Sequence, residues 1–490
     1  MQLVKLAAIG LFSVLSTHAA AADAVTLAPS DSSVEDLNKT AAEATQTEQL
    51  PQVLEIQQSK PLTQEQAKAR LASNPAEFEK LLSVFLLQGN HLALKDLLPT
   101  YQAYSEHDPS VIEWGNAIID LKEGRLTQAI AAYRKLNSAL PEVKSIQFQM
   151  ALALYQDRQF EASKSQFEKI RVTASSDIEK SIIEQYLDAI ARQDRWTVSG
   201  NFSFLNDKNL NNAPETGTSI TTADGAQVTF RSPREEGQGV NLGVFANRRF
   251  LSDRKFFTEI GLGFGSSLYW NNKKYNDVSL DANTSVGYQT VTSEVSIGPF
   301  FNKRLYAGGT SGDGSLGSYL ETVGGQIRLS HSITPNWRYS GAIRLSQSDY
   351  IPLYDFNNSD DQFYSSNLIY LPNQLTFFLF GLDYMDKKTE EKSDSFERQG
   401  IRLGWGQTWP KGISTRVNLG YAERDYQGAN FFGVVRENQE YSAELTLLNR
   451  NWHYKGLTPQ LVLSHYNVDS TSAFEVYQKN NVSIELTKEF

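Results

Sequence analysis

The 490-residue chain contains no cysteine, which excludes disulfides, thiolate-held metals, a cysteine nucleophile and lipid attachment through an N-terminal cysteine. Basic residues are not in excess. Lysine and arginine number 46 against 56 aspartates and glutamates, a formal net charge of −10, and a nucleic-acid binder needs the opposite balance. The six histidines, at 18, 91, 107, 331, 453 and 465, form no His-x-x-x-His or His-Glu-x-x-His pair, so no metal-ligand spacing is present. Gly-x-Ser-x-Gly and the phosphate-binding P-loop are missing too. The glycine-rich GGTSGDGSLG (308–317) lacks the lysine and the strand–helix setting of a phosphate loop and fits an outer loop. The acids of FNNSDDQF (356–363) would hold Ca²⁺ only weakly and fit a solvated loop. No Ser/His/Asn or paired-acid set can be assembled for a hydrolase. The expectation is a protein with no catalytic residue, no metal site and no nucleic-acid partner.

Long hydrophobic runs are also scarce. The N-terminus, MQLVKLAAIGLFSVLSTHAAAADA, places Lys5 before an apolar run from Leu6 to Leu15 and a small-residue patch from Ala19 to Ala22. That order is the one of a secretory signal peptide, with cleavage expected after Ala22. The run is too short to span ~30 Å of hydrocarbon. Beyond it, no stretch approaches eighteen consecutive apolar residues, so any membrane role falls to strands.

What is present divides into three zones, and the length leaves room for two or three domains. Residues 23–60, rich in Ala, Ser, Thr, Gln and Glu, suit a flexible linker with a short helix around 51–58. Residues 61–195 are helical in pattern and carry a repeat. AIIDLKEGRLTQAIAAY begins at Ala117 and ALALYQDRQFEASKSQF at Ala151, aligning Ala117 with Ala151, Leu126 with Phe160, Ala129 with Ser163 and Tyr133 with Phe167. A 34-residue period with small and aromatic residues at those offsets resembles the tetratricopeptide repeat, a helix–turn–helix unit whose small residues allow close helix crossing. Gly89 precedes Gly124 by 35 residues in a third, weaker copy. Asp120 stands where the repeat prefers an aromatic, and Arg158 where it prefers glycine. SDIEKSIIEQYLDAIARQDRW closes the array.

From residue 196 onward the period becomes two. WTVSGNFSF sets Trp196, Val198, Gly200, Phe202 and Phe204 against Thr197, Ser199, Asn201 and Ser203. Strands are expected to start near 196, 238, 254, 278, 291, 320, 335, 361, 375, 396, 411, 436, 457 and 480, about fourteen in all. Aromatics gather near strand ends and the opposite faces carry Arg, Glu, Gln and Asn, including Arg328, Arg338, Arg344 and Arg416, as in a membrane barrel with a polar interior. Alternation alone does not say which face points out. The signal peptide, the strand number and the final strand NNVSIELTKEF favour an outer-membrane barrel over a periplasmic or secreted β domain. Val482, Ile484, Leu486 and Phe490 are expected to face lipid in a closing strand paired with the one beginning at Trp196. The long segments 207–236, 305–318, 347–360 and 426–434 are expected to face outward. The fold class is α + β multidomain, an N-terminal repeat α-solenoid followed by a transmembrane antiparallel β-barrel of about fourteen strands.

One helical face has candidate binding content. Trp114, Ile118 and Leu121 recur 34 residues later as Phe148, Leu152 and Tyr155. On the concave side of a helix stack they would line a groove for a client peptide; packed helix on helix they would be core.

The order of signal peptide, repeats, closing helix and about fourteen strands resembles the surface lipoprotein assembly modulator (Slam) family of Gram-negative outer membranes. The likeness is carried by EGRLTQAIAAYRKLNSALPE (123–142), MALALYQDRQFEASKSQFEKI (150–170), YLDAIARQDRWTVSGNFSF (186–204) and the Asn-rich NDKNLNNAP (206–214). It departs from that pattern at Asp120, at Lys488 in the final strand and in the linker. The resemblance implies translocation of client surface lipoproteins or secreted proteins, with periplasmic helices engaging the client and the barrel as passage. It implies no cofactor or nucleotide, and, as partners, outer-membrane lipid, the barrel-assembly machinery that reads a terminal aromatic strand, and periplasmic chaperones. An exopolysaccharide export porin with periplasmic repeats shares this architecture and stays open, as does a diffusion porin.

Overall fold

The structure is a computed structural model. It describes residues 75–490 except 106, 175, 222–224, 226, 231–232, 253–254, 374, 450, 453–456 and 490. The signal peptide with Ala22, the linker 23–60 and Phe490 lie outside the described residues.

Seven α-helices come first among the described residues: α1 (Pro75–Gln88), α2 (His91–Gln102), α3 (Pro109–Lys122), α4 (Leu126–Ala139), α5 (Lys144–Gln156), α6 (Phe160–Thr173) and α7 (Asp177–Gln193). Their starts are written in capping chemistry. The Asp108 carboxylate accepts from Ser110 N at 2.8 Å with Pro109 at the first helical position, and the Ser176 hydroxyl accepts from Glu179 N at 3.1 Å. The helix pairs stack in chain order, and the 34-residue signature explains why. Ala117, Ala129, Tyr133, Ala151, Ser163 and Phe167 are all completely buried, so small residues sit at the helix crossings and the aromatics fill the gaps between units. Serine at the small position 163 is accommodated because its hydroxyl donates to the Ala151 carbonyl at 2.8 Å.

The strands are β1 (Trp196–Asp207), a short hairpin β2 (Ser219–Thr221) and β3 (Gln227–Thr229), then β4 (Gly237–Leu251), β5 (Phe256–Tyr269), β6 (Asp277–Gln289), β7 (Ser293–Tyr306), β8 (Gly317–Thr334), β9 (Trp337–Tyr350), β10 (Ser359–Asn373), β11 (Thr376–Thr389), β12 (Phe396–Thr408), β13 (Ile413–Ala429), β14 (Val435–Asn449), β15 (Thr458–Ser470) and β16 (Tyr477–Glu489). All but β2 and β3 form one closed antiparallel barrel of fourteen strands, β16 returning to pair with β1. Every strand start lies within three residues of its expected position. An even count puts the end of α7 and the end of β16 on the same rim. The turns on that rim are short, such as 290–292 and 335–336, and longer loops, such as 307–316 and 351–358, cross the opposite rim.

The direction of amphipathicity, open from alternation alone, is settled by burial. Val286, Ile297, Val323 and Leu403 stand outside at 50–59 % exposure, whereas Asn201, Asn241, Gln326, Asn367 and Asp383 are buried inside. Apolar out and polar in is the arrangement stable in lipid. Outward aromatics gird both rims. Trp337 and Tyr370 stack at 4.5 Å and Tyr370 and Phe378 at 6.4 Å on the helical side. Tyr421 meets Tyr441 at 5.2 Å and Tyr364 meets Tyr384 at 6.1 Å toward the other.

Candidate functional site

The α5–α6 turn seats on the barrel rim. Asp157 ends α5, and its carboxylate accepts from Lys255 Nζ in the β4–β5 turn at 2.7 Å. Arg158 follows in the left-handed region at φ +57°, in line with Gly89 at +64° and Gly124 at +83° in the preceding units. Three successive repeats thus end their first helix the same way, and arginine occupies the glycine conformation at a cost of about 1 kcal/mol. Its guanidinium donates to Gln289 Oε1 at the end of β6 at 3.3 Å. Burial lowers the Arg158 pKa from its ordinary value, opposed by nearby Glu294 and reinforced by Arg249 and Arg338. Arg158, the departure from the repeat pattern, therefore reaches the barrel mouth beside Asp157. Around it Arg248 approaches Asp194 at 3.5 Å, Val291 packs on the α1–α5 core, and Leu251 on the α5–α7 core. A cavity of about 930 Å³ lies beside the junction, between Arg134 and Ser138 of α4, Leu154 of α5, Gln166 of α6, and Lys255 and Tyr288 of the barrel.

The six residues of the candidate groove divide between two clusters. Ile118 and Leu121 are buried in the α1–α5 core with Trp114 packed at its edge. Trp114 Nε1 donates to Gln149 Oε1 at 2.6 Å, and Gln149 in turn donates to the Leu86 carbonyl at 3.0 Å. Phe148, Leu152 and Tyr155 are half-buried against the second core. There Phe148 lies edge-on to Phe167 at 5.8 Å and Tyr155 edge-on to Tyr186 at 5.4 Å. Burial pushes the Tyr186 hydroxyl up to about 12. None of the six lines the junction cavity.

The barrel interior carries networks of ion pairs. Arg398 bridges Asp383 at 2.8 Å and Glu440 at 2.9 Å, Arg402 reaches Asp383 at 2.8 Å, and Arg424 reaches Glu440 at 2.6 Å. On the facing wall Arg249 bridges Glu259 at 2.8 Å and Glu294 at 2.9 Å, with Arg328 at 3.8 Å from Glu259. Such pairs let a wall carry charge at low solvation without an uncompensated ion. Alternation places Arg328 on the lumen face, but its acidic partner Glu259 is not legible from it, because pairing across strands needs the register.

The mouth opposite the helices is built around NDKNLNNAP. Leu210 is fully buried in a cup of Tyr269, Tyr275, Tyr306, Tyr319, Leu320 and Tyr350. Asn209 fixes the loop by accepting from Ala213 N and donating to Ala213 O, both at 2.9 Å. Asn211 donates to Pro233 O at 3.0 Å and accepts from Glu235 N at 3.0 Å. Side chains of asparagine here replace backbone partners, which is why the loop is rich in them. Arg304 donates to Asp277 at 2.7 Å beneath the Tyr306 and Tyr319 rings. Tyr306, Tyr319 and Tyr350 lie at expected outer loops, a signal in the sequence that alternation counts alone pass over.

In β16, Val482 and Ile484 point outward and are exposed, Leu486 is half-exposed, and Glu485 is buried inside, bonded to Gln460 at 2.9 Å.

Among solved structures, a "bacterial polysaccharide outer membrane secretin" aligns at TM-score 0.35 and 11 % identity over 61 % of this chain and 98 % of that one. Likeness at that level distinguishes no function. Sequence relatives are far nearer. Surface lipoprotein assembly modifier 1 of Haemophilus influenzae is 36 % identical over 86 % of each chain, and the surface lipoprotein assembly modifier of Pasteurella multocida 33 % over 86 % of this chain and 84 % of that one. The hemophilin secretion modulator of Acinetobacter baumannii is 20 % identical over 85 % and 86 %. The profile of the family's N-terminal tetratricopeptide repeats matches residues 64–167, and that of the surface lipoprotein assembly modifier matches 196–490. With its repeat helices in the periplasm and its barrel in the outer membrane, the chain belongs to the surface lipoprotein assembly modifier family.

Proposed function

We propose that this protein delivers client surface lipoproteins across the outer membrane, the helical array engaging the client in the periplasm and the barrel giving it passage. The observation that carries the reading is the seating of the α5–α6 turn on the rim of a polar lumen, by Asp157–Lys255 and Arg158–Gln289, in a chain of this family. The division we infer is signal peptide 1–22, linker 23–60, periplasmic repeats 61–195 and barrel 196–490. Clients meet the accessible edge of the helices, where Trp114, Phe148, Leu152 and Tyr155 remain half-buried; Ile118 and Leu121 support them from the core. The final strand, ending Val482, Ile484, Leu486 and Phe490, is the address for the barrel-assembly machinery, and periplasmic chaperones hold clients before capture. No catalytic step belongs to this reading.

Deleting the gene and shaving intact cells with protease tests it. Lipoproteins are expected to vanish from the surface, and removal of residues 61–195 is expected to leave an inserted barrel that displays none. Loss of surface polysaccharide with lipoproteins retained would make the protein a polysaccharide exporter instead. Trp114→Ala with Phe148→Ala is expected to weaken client capture while helical content, followed by circular dichroism, is kept.

A further inference from the structure

The barrel is closed unequally. β1 makes twelve register pairs with β4, and β16 makes eleven with β15, but β1 and β16 make five with each other, from Ser199–Glu489 to Ser203–Glu485. Beyond Ser203, Phe204–Asp207 continue to pair with Val240–Gly237 of β4, and Ile484–Tyr477 with Leu461–Val468 of β15. Across the seam itself no ladder pair joins them among the described residues. The break has no local chemical excuse. Where the β6–β7 ladder skips Thr284 and Ser285, Pro299 lacks the donor and Gly298 lies so close that an added Cβ would stand 1.9 Å from the Thr284 carbonyl oxygen. The seam edges, LND after Phe204 and NVSI in β16, contain neither proline nor glycine.

The unpaired stretch covers four residues of β1, Phe204–Asp207, in register with Asn481–Ile484 of β16, about 13 Å at 3.3 Å per residue, close to half of a ~30 Å hydrocarbon core. It occupies the half away from the helices, the outer-leaflet half. At its far end one side-chain contact spans it, Lys479 Nζ to Asp207 Oδ2 at 3.2 Å. Its lipid edges are apolar, with Phe204 58 %, Val482 64 % and Ile484 58 % exposed, while Ser483 within it is buried, and Ser199, Asn201, Ser203 and Glu485 continue a buried polar track along the zipped half. A polar track inside, an apolar edge outside and no ladder between them suit one kind of ligand, a polypeptide carrying acyl chains.

We infer that the outer half of the β1–β16 seam is a lateral exit, through which the acyl chains of a lipid-anchored client pass into the outer leaflet while its polypeptide stays in the lumen, with Lys479–Asp207 as its latch. This rests on the translocation of lipoproteins proposed above.

The absence of native cysteine makes the test clean. Continuing the register pairs residue 205 with 483, so Leu205→Cys/Ser483→Cys ties the outer half, and Asn201→Cys/Thr487→Cys ties the half already zipped. The probe is the most abundant lipoprotein lost from the cell surface on gene deletion, carried once with its anchoring cysteine and once with that cysteine replaced by serine behind a signal for soluble export. Both paired variants are first checked for folding by heat-modifiable migration and for disulfide formation by non-reducing gels. The outer tie is expected to cut display of the lipidated probe at least tenfold, reversibly with dithiothreitol. The inner tie is expected to leave display intact, and the unlipidated probe to emerge in the medium from every variant. Undiminished display through a fully oxidised outer tie would overturn the exit. Equal blockage of lipidated and unlipidated probes would overturn its assignment to acyl chains. If the unaltered protein restores display of neither probe to the deletion strain, the translocation reading itself fails, independently of the seam.

Discussion

Lys255 Nζ in the first rim turn of the barrel lies 2.7 Å from the Asp157 carboxylate at the end of α5, and both side chains are largely buried, at 18 % and 8 % exposure. The pair is separated by 98 positions in sequence and is tighter than the Arg158–Gln289 and Arg248–Asp194 contacts, at 3.3 and 3.5 Å, that also join the helices to the barrel. Asp157 is further held by Gln159 Nε2 at 2.7 Å. Removing one partner of a buried pair costs about 3–5 kcal/mol because the other is left uncompensated. The residual exposure of Lys255 scales this down to about 1–3 kcal/mol of docking energy. Lys255→Ala and Asp157→Ala are each expected to broaden the helix-to-barrel distance distribution measured between spin labels. The double variant is expected to be less disturbed than the sum of the two, the signature of direct coupling.

Arg158→Gly separates two effects of opposite sign. Glycine removes the left-handed strain at φ +57°, so the helical region should resist urea better by about 0.5–1 kcal/mol. It also deletes the guanidinium that donates to Gln289 at 3.3 Å, so docking should loosen in the same spin-label measurement. Stabilised helices with unchanged docking would show that Arg158 holds nothing at the rim.

Much of this molecule was legible before any coordinates. Period two alone located every barrel strand, because a closed membrane barrel forces alternation on each of its strands. The 34-residue repeat located the helix pairs, since Ala117, Ala151, Tyr133 and Phe167 are all at the crossings where only those sizes fit. Contacts between elements distant in sequence were not legible. Arg158 looked like an imperfect repeat until Gln289 and Lys255 appeared opposite it, 131 and 97 residues away in the chain. Apolar helical spacing likewise left Trp114, Ile118 and Leu121 ambiguous between groove and core, as periodicity gives a face but not what covers it.

Acid should weaken one corner of the repeat array. Glu123 accepts from Lys95 at 2.8 Å and from Arg125, which also holds Asp120 at 2.6 Å. The Lys95 and Arg125 hydrogen bonds hold its carboxyl at about 2, below the ordinary 4.5. A folded-state value below the unfolded one contributes stability that is complete above about 4.5 and lost as pH falls toward 2. Glu123→Gln is therefore expected to lower the melting temperature of the helical region slightly at neutral pH. The difference from the unaltered protein should shrink on acidification through that window, and also in molar salt, since the cluster is solvent-exposed. A gap that widens in acid would show that another carboxylate governs the transition.

Leu210 offers the sharpest test of the outer mouth. It is the fully buried residue of its loop, enclosed by Tyr269, Tyr275, Tyr306, Tyr319 and Tyr350, and truncating such a leucine costs about 2–5 kcal/mol. The barrel ladders do not depend on it, so the loss should appear as local opening of the 208–236 segment rather than as unfolding. Proteolysis that tracks the open population should then quicken by about 30-fold or more for Leu210→Ala on intact cells, as each 1.4 kcal/mol is a factor of ten. Folding of the variant barrel, followed by heat-modifiable migration, should be unchanged. The asparagines supply the control. Asn211→Ala removes the bonds to Pro233 and Glu235 but leaves the leucine in its cup, and should quicken cleavage by less. If Asn211→Ala opens the loop as far as Leu210→Ala does, the hydrogen-bonded frame and not the tyrosine cup holds this mouth in place.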